Sequence, residues 1–246
     1  MAAIAVAIAT DVFGIFQHSV RRIVHRSPPP TARTPPSPLS FRWWRDEEGF
    51  DVVSIPRGKS AQLAHAKNCR ALEQSAREAG GADPHTTRLA MLVQGRLADT
   101  ATIIGMRAIV TSRSRATGGA EAECAGGGAE SALRLRFNLD SRKPRALRMT
   151  GDFDHAVPAG PYFVHGRVIT AAKHEVVPLE LEGVARRRAV TWRLELTAAI
   201  GSRTRRFVID DHGRPFRTTP HEGGWPVYEW RWWHTPQDMH ISHVQP

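Results

Sequence analysis

Cysteine is nearly absent: Cys69 and Cys124 are the only two in 246 residues. That excludes a disulfide framework, and their separation does not suit a metal knuckle, so one disulfide or two unpaired thiols are the remaining readings. Lysine is scarce too, with four against thirty arginines. The net charge of +10 is therefore almost all guanidinium, and with abundant alanine and glycine it reads as GC-rich coding rather than as a phosphate-binding face. The charge is uneven, since residues 1–45 carry six arginines against Asp11 alone. No helix-turn-helix, zinc-finger or RNP-like pattern accompanies it, and nucleic acid is not expected as a partner. Catalytic signatures are missing as well. There is no Gly-x-Ser-x-Gly, His-Glu-x-x-His, P-loop or dinucleotide-binding glycine motif, and Gly126-Gly127-Gly128 lacks the Lys-Ser/Thr of a phosphate cradle. No cofactor and no enzyme activity are implied.

A long hydrophobic run is also lacking. Ala2 to Phe16 is apolar apart from Thr10, Asp11 and Gly14, short of the roughly 20 residues that cross a bilayer. It has neither the basic start nor the small-residue cleavage site of a secretory signal. An amphipathic surface segment, a weak anchor and the end of a truncated transmembrane helix all fit, and residues 1–26 are read as a membrane tether whose orientation stays open. Residues 27–40, SPPPTARTPPSPLS, form a Pro-rich linker of extended polyproline-II character. Phe41, Trp43 and Trp44 then mark where the chain meets a core or a lipid interface.

Residues 41–233 read as one β-rich domain. Ser60 to Ala79 predicts its helix, with Leu63, Ala66, Cys69, Leu72 and Ala76 on one face and Gly80-Gly81 as the stop. Alternation predicts strands around Leu89–Val93, Ile104–Val110, Leu133–Leu139, Tyr162–Thr170 and Val176–Leu181. In the second of these, Ile104 is set in phase with Met106 and Ala108. Thr117 to Ala129 reads as a Gly/Ala-rich loop. The clearest hairpin runs from Val190 to Ile209, with Trp192, Leu194 and Leu196 on the core side and Gly201-Ser202 at its turn. Short strands, frequent turns and one helix predict a mainly β fold, an antiparallel sandwich or open barrel. Residues 234–246 read as a disordered tail containing His234, His240 and His243.

One string of residues resembles a known group. Val93-Gln94-Gly95, the strand over 102–112, Cys124 with Gly126-Gly127, and Asn138-Leu139-Asp140 look like a family of uncharacterised actinobacterial proteins. So do Trp192 to Leu196 and the run Ile209 to Thr219. The resemblance implies an N-terminal transmembrane helix, a linker and this β domain, and it implies no activity and no catalytic residues.

Two candidate sites follow. Asp210, Asp211 and His212 could ligate a metal or form a His–carboxylate pair, but with Gly213 and Pro215 they read first as a turn, since neighbouring strand residues point to opposite faces. Tyr228, Trp230 and Trp232, with Trp225 and Trp233 nearby, form an aromatic strand that could stack on a ligand or anchor a protein, or fill a core. The leading expectation is a non-enzymatic, membrane-tethered interaction or sensing module. A soluble regulatory or ligand-binding domain working with a separate DNA-binding partner is the alternative, and a metal-dependent hydrolase the third.

Overall fold

The computed structural model describes residues 37–45, 50–59, 63, 66, 68–96, 100–116, 118–125, 132–151, 156–221, 227–230 and 240–242. Residues 1–26, read above as a tether, and Trp225, Trp232 and Trp233 lie outside them. No helix among the described residues is long and apolar enough to cross a membrane.

The chain is mainly β. The first sheet runs β1 (Leu39–Arg45), β4 (Thr86–Gly95), β11 (Val176–Val184), β7 (Leu133–Asn138), β8 (Ala146–Thr150), β9 (Val157–Pro161). The second runs β10 (Ile169–Ala171), β5 (Ala101–Ser114), β12 (Ala189–Ile200), β14 (Phe216–Thr219), β3 (Asp83–Pro84). On the same side of β12 as β14 lies β13 (Arg203–Ile209). These two sheets share one core and pack as a sandwich. A smaller sheet, β16 (His240–Ser242), β15 (Val227–Trp230), β6 (Gly119–Ala125), β2 (Phe50–Pro56), carries a second cluster with α1 (Cys69–Glu78).

Alternation explains the main core. Leu89, Met91 and Val93 of β4 are buried, and so are Trp192, Leu194 and Leu196 of β12. Each strand offers one apolar face, and stacking the two faces removes both from water. Trp192 is the largest fully buried side chain among the described residues. It fits because β11 has glycine at 183, where an added Cβ would overlap the indole ring. We expect Gly183→Ala to destabilise the domain by about 1–3 kcal/mol, read as a lower urea midpoint, because the ring has no free space to move into.

Four expectations change. The helix is shorter than 60–79. Asn68, not Ser60, caps it by accepting the Ala71 N–H at 2.8 Å, so the helix starts at Cys69. Its stop is as read. Gly80, at φ +93°, and Gly81 donate back to Arg77 and Ala76, the bond pair of a glycine-terminated helix. Second, residues 119–125 are a strand rather than part of a loop. Ala120 and Ala122 are small enough to sit beneath α1, and tertiary packing outweighs weak local β-propensity. Third, β7 pairs antiparallel with β8 but parallel with β11. Fourth, residues 163–168 form no strand, because the chain turns at His165-Gly166, both at positive φ.

Candidate functional site

The sandwich interior turns polar at one end. Inward positions on β1 run Leu39, Phe41, Trp43 and then Arg45; on β4 they run Val93, Met91, Leu89 and then Thr87. Thr218 follows Phe216 in the same way on β14, and Asp83 enters from β3 beside it. A hydrogen-bonded chain links this layer to the core. Trp192 Nε1–H donates to Thr218 Oγ1 at 2.9 Å, Thr218 and Thr87 hydroxyls are 2.6 Å apart, and Thr87 Oγ1 lies 2.6 Å from Asp83 Oδ2. Since the carboxylate can only accept, Thr87 donates to it and Thr218 must donate to Thr87. The chain therefore has one direction.

Asp83 is the hub. Arg45 Nη1 reaches its Oδ2 at 2.6 Å and Arg77 Nη1 its Oδ1 at 2.8 Å. Burial alone would raise this carboxyl, but the two guanidinium groups and the Thr87 bond outweigh it and hold Asp83 below the ordinary 3.8. Burial likewise opposes the charge on Arg77, and Asp83 with Glu73 overcomes it, raising the guanidinium above its usual value. Arg77 Nε also holds Glu73 at 2.7 Å, one turn earlier on α1, while its buried Nη2 has no hydrogen-bond partner. Arg45 makes a further tie, Nη2 to Asp211 Oδ2 at 3.0 Å. One arginine thus joins β3, the helix layer and the Asp210–Arg214 turn.

That turn is a tight hairpin end. Asp211 and Arg214 exchange backbone bonds of 2.7 and 2.9 Å around His212 (φ +52°) and Gly213 (φ +89°), the paired positive φ of a two-residue loop that follows strand twist. Asp210 Oδ1 accepts the Gly213 N–H at 2.9 Å, and its other oxygen meets Arg193 at 3.3 Å. His212 lies 5.2 Å from the Trp43 ring, and Trp43 stands edge-on to Phe216 at 5.3 Å.

Between α1 and the turn opens a cleft of about 500 Å³, whose walls include Trp43, Trp44, Arg45, Arg70, Glu73, Arg77, Asp211, His212 and Arg214. Asp211 and His212 do line one cavity, against the expectation from strand parity, because His212 sits in a turn and not on a strand. Asp210 is committed elsewhere. Tyr228 and Trp230 lie on β15, between β6 and β16 of the smaller sheet, so the two groups of candidate residues belong to different sheets. Within the expected tail, His240–Ser242 pairs with Val227–Glu229. Among the described residues no group of three acidic, histidine or cysteine side chains is placed to hold a metal. Residues of the cleft outside the sequence candidates are Arg45, Arg70, Glu73, Gln74, Arg77, Glu78 and Arg214, and Asp83, which holds two of them, is a further one. One signal was readable: Arg45 continues the inward parity of Phe41 and Trp43, and a charge in phase with a core stripe calls for a buried partner.

The cleft offers exposed guanidinium groups and an exposed indole. Two of the cleft's acids, Glu73 and Asp211, face Arg45, while the third, Glu78, is exposed and accepts the Gln74 amide at 2.9 Å. No serine, cysteine or lysine stands among the residues lining the cleft. Arg70 and Arg214 are exposed and make no ion pair among the described residues, and Trp44 is 48% exposed. Near the same end, His85 holds positive φ and bonds through its backbone to Thr219 and Ala185. Its side chain is exposed at the surface, and partial desolvation by its neighbours, then the Arg186 charge, push its imidazole below 6.5. The folded state thus resists a proton that the unfolded chain accepts, and His85 should lower stability as pH falls below 6.5. His85→Asn, which keeps the left-handed backbone, should flatten that part of a Tm-against-pH curve.

Comparisons with protein-family models, with curated proteins and with solved structures find no match to this chain. Fold and site define a mainly β sandwich whose polar end is closed by a short helix and opens on an arginine- and tryptophan-lined cleft.

Proposed function

We propose that the chain is a non-enzymatic interaction module, held at a membrane by residues 1–26 and the Pro-rich linker, that receives an acidic segment of a protein partner in the cleft beside the Asp210–Arg214 turn. The observation that carries this reading is a pair of exposed arginines in the cleft that make no ion pair among the described residues. Glu73 and Asp211 serve Arg45, while Arg70 on α1 and Arg214 on the turn face the same space without a partner among the described residues. Guanidinium groups from the helix and from the turn, with an exposed tryptophan lining the same cleft, suit carboxylates borne on an extended chain.

Arg70→Glu with Arg214→Glu should abolish partner recovery from cell extracts while leaving the melting temperature within the range of ordinary surface changes. The same set of proteins recovered by wild type and double variant would count against the cleft. The tether is tested apart from this, by fractionation of the full chain: removal of residues 1–26 should move it from the membrane pellet to the supernatant. A full chain already wholly in the supernatant would contradict that part of the proposal.

A further inference from the structure

The outer face of the second sheet carries a different cavity, independent of the cleft. The register across it sets Gly105 opposite Thr197 and Thr197 opposite Arg206; one pair along, Arg107 faces Glu195 and Glu195 faces Val208. The ladder between β5 and β12 slips at Thr197/Ala198, where Gly105 and Ile103 are the successive partners. Ile104 is therefore an extra residue, a β-bulge. Bulges turn side chains out of phase and are common beside binding sites. Here Ile103 and Met106 stay in the core, while Ile104 is 42% exposed and joins the cavity wall. Alternation alone predicts Ile104 in the core row, and the bulge is why it is not there.

The cavity measures about 390 Å³, within the size range of small-molecule sites. Its apolar side comes from Ile104, Phe163 and Val164, and its centre is low because Gly105 has no side chain and Thr197 a short one. A Cβ at Gly105 would meet nothing nearer than Thr197 Cβ at 3.9 Å, so the space above it is open. The charges are lopsided. Arg107 Nε satisfies Glu195 at 2.7 Å, which cancels that pair. Arg145 and Arg206, both exposed, add two cations with no ion pair among the described residues.

We infer that this cavity binds a small amphipathic carboxylate, its apolar body on Ile104, Phe163 and Val164 and its carboxylate between Arg145 and Arg206. A neutral apolar molecule would leave the guanidinium groups unused, and an inorganic anion would leave the apolar wall wet. Arginine meets carboxylate with paired hydrogen bonds.

The test is titration of the full-length protein with octanoate, followed by amide chemical shifts. Saturable shifts at Gly105 and Thr197 are expected, with octanol and octylammonium binding weaker by about tenfold or more. Gly105→Leu should fill the space, and Arg206→Gln should remove half the anion site; each should weaken octanoate by at least about tenfold. Arg206 is on the surface, so its variant reports on binding even if Gly105→Leu perturbs the fold. Octanol binding as tightly as octanoate, equal binding by the variants, shifts confined to the cleft beside Asp211 and His212, or no saturable shift would each overturn the inference. Inorganic phosphate matching octanoate would do so too, since the apolar wall would then contribute nothing.

Discussion

Asp83→Ala is expected to lower the stability of the domain by about 3–5 kcal/mol, the cost of taking from two largely buried cations their most buried counter-ion. Asp83 meets both Arg45 and Arg77 within 2.8 Å, is more buried than Glu73, which also reaches both, and accepts the Thr87 hydroxyl as well. Its removal leaves two guanidinium groups in a site from which water is largely excluded. Asp83→Asn should fall between wild type and alanine, because it keeps an acceptor for Thr87 but no charge. The pH dependence has a defined sign. Asp83 is held below 3.8 in the folded state, so its contribution is present above that pH and is lost as pH falls through the lowered folded value. Urea unfolding at neutral pH and at about pH 3 should show a wild-type loss that Asp83→Ala lacks. A cost under about 1 kcal/mol at neutral pH would mean the arginines find water or other partners.

Trp192→Ala should cost a similar amount, about 3–5 kcal/mol, for a different reason. Its ring is fully buried, with Phe216 at 5.0 Å and Phe137 at 6.4 Å. Truncation leaves a cavity that flanking β-strands cannot close, since both are pinned by ladders along their length. Trp192→Phe separates packing from hydrogen bonding: most of the ring stays, and only the Nε1–H donated to Thr218 is lost. That change should cost about 1–2 kcal/mol, because Thr218 still donates to Thr87. If phenylalanine were as damaging as alanine, the hydrogen-bonded chain, not the ring, would be the main contribution.

The sequence made the fold class readable wherever one strand face is buried and the other wet. Trp192, Leu194 and Leu196 announced β12, and Leu89, Met91 and Val93 announced β4, because period-two alternation needs no knowledge of the partner. Three kinds of feature were hidden. A bulge at Ile104 shifts phase by one residue without a change in composition. The strand over 119–125 is made of residues with no β preference, and only the helix packed on Ala120 and Ala122 selects it. The ion-pair network beside the cleft joins residues as distant as Arg45, Arg77, Asp83 and Asp211, and long-range ion pairs leave no local period to detect. Asp211 and His212 were legible as a turn, and the turn is what they form. That the turn is anchored by Arg45 and faces Arg70 across an open cleft became visible only from the folded arrangement.

The most direct measurement is titration of the purified full-length protein with a hexaglutamate peptide, read by isothermal calorimetry at two salt concentrations. We expect saturable binding that weakens as salt rises and is lost in the Arg70→Glu, Arg214→Glu double variant, with Arg206→Gln behaving as wild type. Absence of saturable binding, or binding that the double variant retains, would contradict a cleft built to receive an acidic partner.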